Sequence, residues 1–201
     1  MSEIIVREAT IVDVADIQHM AHLVARFEFE RGWAPEIDPQ WAFTEAGVRF
    51  IKQQLTGEDG ILLVATCDKQ AIGFLGGCIR QEKQGPWCVG RVGGLQGVFV
   101  LPAYRRKRIG TRLVARFLQW CDHQNLDKVS VAVAPANDAA IALYETMGFD
   151  ATTLILERQT GAVRRMGVGQ HGLQPARARG VAGAAADHLV HARLLSVLSQ
   201  V

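Results

Sequence analysis

Residues 98–113, VFVLPAYRRKRIGTRL, join a strand to a helix through a basic turn. The apolar run 98–100 is typical of a buried strand, and Pro102 stops that strand because proline has no backbone N–H. A helix is predicted to begin near Ile109. The basic turn therefore lies over a helix N-terminus, where unpaired N–H groups and the helix dipole favour an anion. This order predicts a phosphate-binding turn, although a charge run taken alone is more often a solvated surface.

Residues 135–149, PANDAAIALYETMGF, predict a second connection between a strand and a helix. Pro135 ends the strand, and Asn137 is suited to cap the helix that follows. Tyr144 lies two turns further along, and Gly148 is suited to the left-handed conformation in which helices end. Taken alone, this tyrosine is more often a packing residue than a catalytic one.

The remaining pattern indicates strands in the middle of the chain and alternating strands and helices after them. Strands are predicted over 3–8, 61–67, 71–80, 94–100, 128–134 and 151–157, helices over about 14–27, 39–55, 109–120 and 138–147, and a loop over 81–92. The order β-α-α-β-β-β-α-β-α-β predicts an α/β fold with a mixed, mostly antiparallel central sheet flanked by helices. The strand 128–134 carries few charges and is expected near the middle of that sheet.

Composition and charge exclude several classes of protein. The 201 residues are 49% hydrophobic, with 22 basic and 20 acidic side chains, which suits a packed domain and not a disordered chain. No apolar run reaches the roughly 18–20 residues that span a bilayer, and the first ten residues do not resemble a signal peptide. A cytoplasmic location is expected, with the four cysteines as reduced thiols. Their spacing matches neither a zinc site nor a disulfide framework, so no metal is expected.

Together and in this order, the two connections resemble the GNAT superfamily of acetyl-CoA-dependent N-acetyltransferases. That family carries an Arg/Gln-x-x-Gly-x-Gly/Ala turn after a strand and, further along, an Asn-x-x-A-x-x-L-Y-E-x-x-G-F helix, which residues 137–149 match almost letter for letter. The resemblance covers residues 3–157 and implies a GNAT-type fold for a domain of residues 1–157. It also implies transfer of acetyl from acetyl-CoA to a primary amine of a small molecule or a protein. Direct attack in a ternary complex is expected, because no cysteine is placed to serve as a covalent relay.

The resemblance implies a role for particular residues in both stretches. Tyr144 would protonate the departing CoA thiolate, because the pKa of a tyrosine is near that of a thiol. The backbone of Val98, Phe99 and Val100 would pair with the pantetheine arm of the cofactor like an added strand. Asn137 would hydrogen-bond the pantetheine. The residues that would hold the pyrophosphate are Arg105, Arg106, Lys107, Arg108, Ile109, Gly110 and Thr111.

Two departures from the family pattern bear on the chemistry it implies. Arg108 stands where the first glycine of the turn is expected, so weaker but retained cofactor binding is predicted. The strand 94–100 has no carboxylate that could serve as the general base. A water chain, Glu82, Glu28 or Glu30 could take that role, and an amine that arrives neutral needs no strong base. The missing carboxylate keeps a non-catalytic acyl-CoA-binding regulatory module as the alternative function.

The acceptor side is expected along the first two helices and the loop before the strand 94–100. Aromatic and acidic side chains there would suit a cationic amine with some apolar bulk. The candidates are Phe29, Glu30, Trp33, Trp41, Trp87 and Gln96. For Trp33 and Trp41, packing within the helical layer is the stronger interpretation of each residue taken singly.

The distribution of charge bears on possible partners. Residues 1–157 hold 16 basic and 19 acidic side chains, a net charge of −3, whereas a nucleic-acid binder would present a broad basic face. Neither a nucleic acid nor a membrane is therefore an expected partner, and a nucleic-acid role through the basic turn and the C-terminal segment is the weakest alternative. A homodimer is left open.

Residues 158–201 differ sharply from the rest in composition. Gly, Ala and Arg make up 20 of these 44 residues, and Lys and Glu are absent. The composition predicts a C-terminal extension that is disordered over 158–180, with one terminal helix over 184–199. A native appendage and a change of reading frame or fusion after Glu157 are both open, and in either case the extension is expected to be dispensable for chemistry.

Overall fold

A computed structural model describes residues 3–84, 87–156 and 198–200, and these form one mixed sheet with helices on both faces. The strands are β1 Ile4–Glu8, β2 Gly60–Cys67, β3 Gln70–Gln84, β4 Trp87–Val100, β5 Lys128–Val131 and β6 Leu198–Gln200. The helices are α1 Val14–Glu30, α2 Glu45–Thr56, α3 Ile109–His123 and α4 Asp138–Thr146, with short 3-10 turns at Ile11–Asp13, Trp41–Phe43 and Pro102–Tyr104.

The sheet has the strand order β1-β2-β3-β4-β5, and β6 pairs with β4 off this path. The first four strands are antiparallel to one another, whereas β5 and β6 both run parallel to β4. This arrangement confirms the predicted fold class, a mixed and mostly antiparallel sheet flanked by helices.

Two hydrophobic cores cover the two faces of the sheet. On one face, α3 and α4 place Leu113, Phe117 and Leu143 against the sheet. On the other, α1 and α2 bury Val24 and Ile51. Because burial of a large apolar side chain contributes about 1.5–3 kcal/mol, these two layers hold the strands that carry the candidate site.

The start of α1 is tied to the edge strand β1 by a partly buried ion pair. Both terminal nitrogens of Arg7 donate to the carboxylate of Asp13 at 2.8 Å, and the N–H of Thr10 donates to the same carboxylate. These hydrogen bonds, that of Arg7 foremost, outweigh burial and lower the pKa of Asp13 to about 2. The α1 layer is therefore anchored at its first turn.

Several local predictions are confirmed. The strands predicted over 61–67 and 71–80 form a hairpin, which turns at Asp68 and Lys69, both in the left-handed region that a type I′ turn requires. The helix α4 begins after Asn137 and is followed by Gly148 with a φ of +86°. Short-range turn chemistry thus determines where these elements stop.

Two boundaries differ from the prediction for identifiable reasons. The second helix begins at Glu45 and not at Pro39, because the Thr44 side chain accepts from the N–H of Gly47 and caps the helix there. Most of the predicted loop 81–92 is strand, because β3 and β4 pair with each other up to the hairpin end. An available antiparallel partner outweighs the Gly, Pro and Trp composition of that stretch.

The last predicted strand of the domain does not form among the described residues. Residues 151–156 are exposed and have no regular structure, and Leu156 is 84% exposed; residue 157 lies outside the described residues. Strand propensity there finds no pairing partner. The strand β5 is also shorter than predicted. Because no described strand pairs with its outer edge, it lies at the end of the strand order and not in the middle of the sheet.

The C-terminal extension is described only at its end. Residues 158–197 lie outside the described residues, and with them most of the predicted terminal helix 184–199. Its last two positions, residues 198 and 199, belong to the strand β6 instead.

Candidate active site

The parallel pairing of β4 with β5 ends at Leu95, and there β4 carries one more residue than β3. Gly76 and Gly77 lie opposite Gly97 and Leu95, which leaves Gln96 as a β-bulge. A bulge bends its strand and increases the local twist. The edge of β4 beyond Gln96 therefore does not pair with β5.

The edge beyond the bulge is where the cofactor arm is predicted to pair. The strand β6 pairs in parallel with residues 97–99 of this edge, and it also contacts α1 and α4. Of the predicted pairing residues, Val98 and Phe99 are engaged in this way, and Val100 follows them at the end of the strand. Because β6 and a ligand cannot bind the same backbone groups at once, a ligand that pairs with this edge requires β6 to leave.

The turn between β4 and α3 has the geometry of an anion-binding turn. Arg106 and Arg108 both adopt left-handed backbone conformations, and Arg108 is the residue before the helix. The carbonyl of Arg108 accepts from Arg112, so the first three N–H groups of α3, those of residues 109–111, lie beyond the reach of the intrahelical ladder. Ile109 and Gly110 are buried. The helix start can therefore present backbone donors to an anion.

The four cationic side chains of the turn are not equivalent. Arg105 turns inward: its Nε donates to the carbonyl of Val100 at 3.1 Å, and its guanidinium lies 5.8 Å from the ring of Phe99. Burial, followed by the charge of Arg31, lowers the pKa of Arg105. The other three, Arg106, Lys107 and Arg108, are exposed. The exposed charge of the turn is thus carried by residues 106–108, while Arg105 is bound to the end of β4.

Asn137 and Tyr144 lie two turns apart at the start and within α4. The Asn137 side chain accepts from the N–H of Ala140 at 3.2 Å and so caps the helix. Tyr144 is 3% exposed, and its ring lies 5.6 Å from that of Phe149. A separation of seven residues brings both side chains to one face of the helix. The structure therefore gives Asn137 a capping role that is compatible with its predicted contact to the cofactor.

The predicted acceptor residues fall into different environments. Trp33 packs edge-on against Phe27 with ring centres 5.5 Å apart, and Trp41 packs against Phe50. These two tryptophans are packing residues of the helical layer. Glu30 is exposed and paired with Arg26, Phe29 is half-buried at the end of α1, and Gln96 is 7% exposed in the bulge. The Trp87 side chain lies outside the described part of the chain.

Three residues near Gln96 were not singled out from the sequence. Cys78 and Arg80 extend from β3 on the same face as Gln96, and Ser130 extends from β5 beside them. The signal available in the sequence is the two-residue period of β3, which places positions 76, 78 and 80 on one face. That period becomes informative only when the neighbouring strands and the bulge are known.

Two further features of the described residues bear on the type of site. Residues 3–84 and 87–156 bring together no group of three or more His, Cys, Asp or Glu side chains suited to a metal ion. No described helix is long and apolar enough to cross a membrane.

Comparison with known proteins identifies the family. The model of the acetyltransferase (GNAT) family matches residues 21–149, and the chain therefore belongs to that family. Membership confirms the predicted family and the class of enzyme, an N-acetyltransferase whose co-substrate is acetyl-CoA.

Individual relatives agree with this family. The aminoglycoside N(6')-acetyltransferase type 1 of Acinetobacter haemolyticus is 28% identical over 127 residues, which is 63% of this chain and 88% of the relative. The enzyme of the same name from Acinetobacter baumannii is 31% identical over 107 residues, 53% and 73% of the two chains. A solved structure of AAC(6')-Iy with the bisubstrate analogue CoA-S-monomethyl-acetylneamine has a TM-score of 0.63 at 19% identity, over 79% of this chain and 99% of that one. This last similarity establishes the shared fold.

Proposed function

We propose that this protein transfers the acetyl group of acetyl-CoA to the primary amine of a small molecule, by direct attack in a ternary complex. The observation that carries the proposal is that the start of α3 and the Tyr144 face of α4 meet at the end of β4. Ile109 and Tyr144 lie in one buried cluster with Val98 and Val100 of that strand. The relatives named as aminoglycoside acetyltransferases support a small-molecule amine over a protein acceptor.

The proposed cofactor position uses backbone groups more than side chains. The pyrophosphate accepts hydrogen bonds from the N–H groups of residues 109–111, and Arg106, Lys107 and Arg108 add positive charge. The pantetheine arm pairs with residues 98–100 of β4 and passes Asn137. This position directs the thioester towards the bulge at Gln96, where the acceptor amine attacks its carbonyl carbon.

Tyr144 is the proposed general acid. When the amine nitrogen bonds to the carbonyl carbon, the carbon–sulfur bond breaks and the thiolate takes the phenolic proton. The amine loses its own proton to solvent or to a base. A tyrosine suits this task because a general acid works best when its pKa is near that of the group it protonates.

The described cysteines favour direct attack over a covalent acetyl-cysteine intermediate. Cys78 is the cysteine nearest the bulge, and burial raises its pKa, so its sulfur stays protonated and weakly nucleophilic. Burial raises the pKa of Cys121 to about 12, and Cys67 is buried in the sheet. The side chain of Cys88 lies outside the described residues.

The described glutamates leave water as the leading candidate for the base. Glu30 is held by Arg26 at 2.7 Å, and Glu28 is buried on the inner face of α1. The Glu82 side chain lies outside the described residues. We therefore expect the acceptor to enter as the neutral amine or to lose its proton through water.

Release of free thiol from acetyl-CoA across a panel of amines tests the proposal. Thiol release that depends on the amine, with an acetamide product found by mass spectrometry, is the expected result. Tight acetyl-CoA binding with no thiol release for any amine would favour the non-catalytic acyl-CoA-binding module, which the lack of a carboxylate on residues 94–100 keeps as the second candidate.

Replacing Arg108 with Gly is expected to stabilise the protein. Arg108 has a φ of 58°, and a left-handed conformation costs a non-glycine residue about 1 kcal/mol. The free energy of unfolding in urea should rise by up to about that amount. Arg108→Ala is the matched control, because it removes the same charge and keeps the strain. Equal behaviour of the two variants would contradict the explanation.

Truncation after residue 160 is expected to leave a folded protein with a lower Michaelis constant for acetyl-CoA. The two cores lie within residues 3–156, and β6 occupies the proposed cofactor edge, so its removal opens that edge. Thermal unfolding and acetyl-CoA titration of the truncated and full-length chains measure both effects. An insoluble truncated chain, or one that binds acetyl-CoA more weakly, would place the domain boundary elsewhere.

A further inference from the structure

The face of the sheet beside the bulge carries an arginine that crosses three strands. Arg80 extends from β3, and its Nη2 donates to the hydroxyl of Ser130 on β5 at 2.7 Å. Between them lies Gly94 of β4, which pairs with Ser130. A Cβ on Gly94 would come within 2.8 Å of Arg80 Nε. The guanidinium therefore lies flat on the Gly94 backbone, a place that only glycine leaves open.

The guanidinium has a neutral partner and incomplete hydrogen bonding. Its partner among the described residues is a hydroxyl, and its buried Nε–H has no acceptor there. Proteins rarely leave such a group unsatisfied without a ligand or a functional reason. The Nε and Nη2 edge of an arginine matches the two oxygens of a carboxylate. The guanidinium carries one positive charge and its hydroxyl partner carries none. A single negative charge, which is the charge of a carboxylate, would therefore balance the site.

Arg80 lies close enough to the proposed reaction centre for one small molecule to contact both. Gly94 and Gln96 are two residues apart on β4, which is about 7 Å along a strand. Cys78 lies two residues before Arg80 on β3, and its thiol is hydrogen-bonded to Gln96 of β4. A molecule whose amine is at the bulge can therefore place a second group beside Arg80.

The charge of Arg80 decides which second group of an acceptor suits this position. Its guanidinium lies over Gly94, whereas Arg105 lies beyond the bulge, at Val100. Asp59 lies near Cys78, on the side of the bulge where the amine of the acceptor is proposed to lie. At Arg80 itself a second ammonium group would meet repulsion, whereas a carboxylate meets attraction.

We propose that Arg80 and Ser130 recognise a carboxylate of the acetyl acceptor, so that the acceptor is a small amine bearing a carboxylate, such as a short amino acid. This inference rests on the proposed acetyl transfer and names its substrate class. In the bound state the carboxylate takes the Nε and Nη2 edge of Arg80, and the Ser130 hydroxyl supports the guanidinium from β5.

The test compares matched acceptors in the thiol-release assay. For each α- or ω-amino acid that is acetylated, its carboxamide and the amine without the carboxyl group are assayed beside it, together with an aminoglycoside. The wild-type protein should prefer the carboxylate by at least about 10²-fold in kcat/KM, because a site built for a polar group rejects the analogue that lacks it.

The variants separate recognition from a structural role. Arg80→Gln should abolish the preference for carboxylates and leave the Michaelis constant for acetyl-CoA unchanged. Arg80→Lys should retain part of it, since the charge remains while the paired donors are lost. Arg49→Gln, which removes an exposed arginine from α2, is the control and should leave the preference intact.

Each outcome supports or overturns the proposal. Loss of preference in Arg80→Gln with an unchanged midpoint of thermal unfolding supports it. A wild-type protein that acetylates an aminoglycoside or the carboxyl-free amines equally well overturns it while leaving acetyl transfer intact, as does an equal loss for all acceptors in Arg80→Gln. Failure of every amine to release thiol overturns the proposed function and this inference together.

Discussion

Tyr144→Phe is expected to lower kcat by about 10²- to 10⁴-fold, the usual contribution of a positioned acid or base. The substitution removes the phenolic proton and keeps the ring that packs against Phe149. Folding and the affinity for acetyl-CoA should therefore be unchanged. Single-turnover measurements are the appropriate readout, because product release can otherwise mask a change in the chemical step.

The leaving group provides an internal control for this variant. An acyl donor whose thiol has a lower pKa needs less protonation on departure, so the loss of rate in Tyr144→Phe should be smaller with it. Phe149→Leu, which changes the packing of the same ring and keeps the hydroxyl, should affect stability more than rate. An unchanged chemical rate in Tyr144→Phe would remove the tyrosine from the mechanism and would strengthen the acyl-CoA-binding module.

Reversing two charges in the cofactor turn is expected to raise the Michaelis constant for acetyl-CoA by about 10- to 100-fold. The suitable variant is Arg106→Glu with Lys107→Glu, because both side chains are exposed. Arg105 is unsuitable, since its Nε holds the carbonyl of Val100 and its loss would disturb β4. The Michaelis constant for the amine should change much less than that for acetyl-CoA.

A second double variant controls for net charge. Lys52→Glu with Lys69→Glu makes the same change in charge at exposed positions on α2 and in the β2–β3 turn, and it should leave both constants near their wild-type values. The effect at the turn should also shrink as salt is added, since exposed charges are screened. Equal effects of the two variants, or equal effects on both substrates, would place the pyrophosphate elsewhere.

Local signals in the sequence predicted the elements that carry the cofactor side. The proline and basic residues of 98–113 located the end of β4 and the start of α3, and Asn137 and Gly148 located both ends of α4. These features depend on residues close together in the chain. Strand propensity at 151–157 was a weaker guide, because a strand exists only where another strand offers its edge.

The acceptor side was less predictable because its residues come from different strands. The sequence singled out tryptophans, and the structure places Trp33 and Trp41 in ordinary aromatic packing. Arg80 and Ser130 are 50 residues apart, and their contact exists only because β3 and β5 flank β4. The inward turn of Arg105 was likewise invisible, since a run of four basic residues gives no sign of which one is buried.

The bulge at Gln96 divides β4 into two parts with different roles. Before it, Gly94 supports Arg80; after it, residues 97–99 form the edge that β6 occupies and that the cofactor is proposed to use. Because a bulge pins the register of the paired strands, we expect a substitution before it to leave the register after it unchanged. Acceptor choice can therefore evolve, or be engineered, by substitutions at positions 80, 94 and 130 while the machinery for the acyl donor is inherited unchanged.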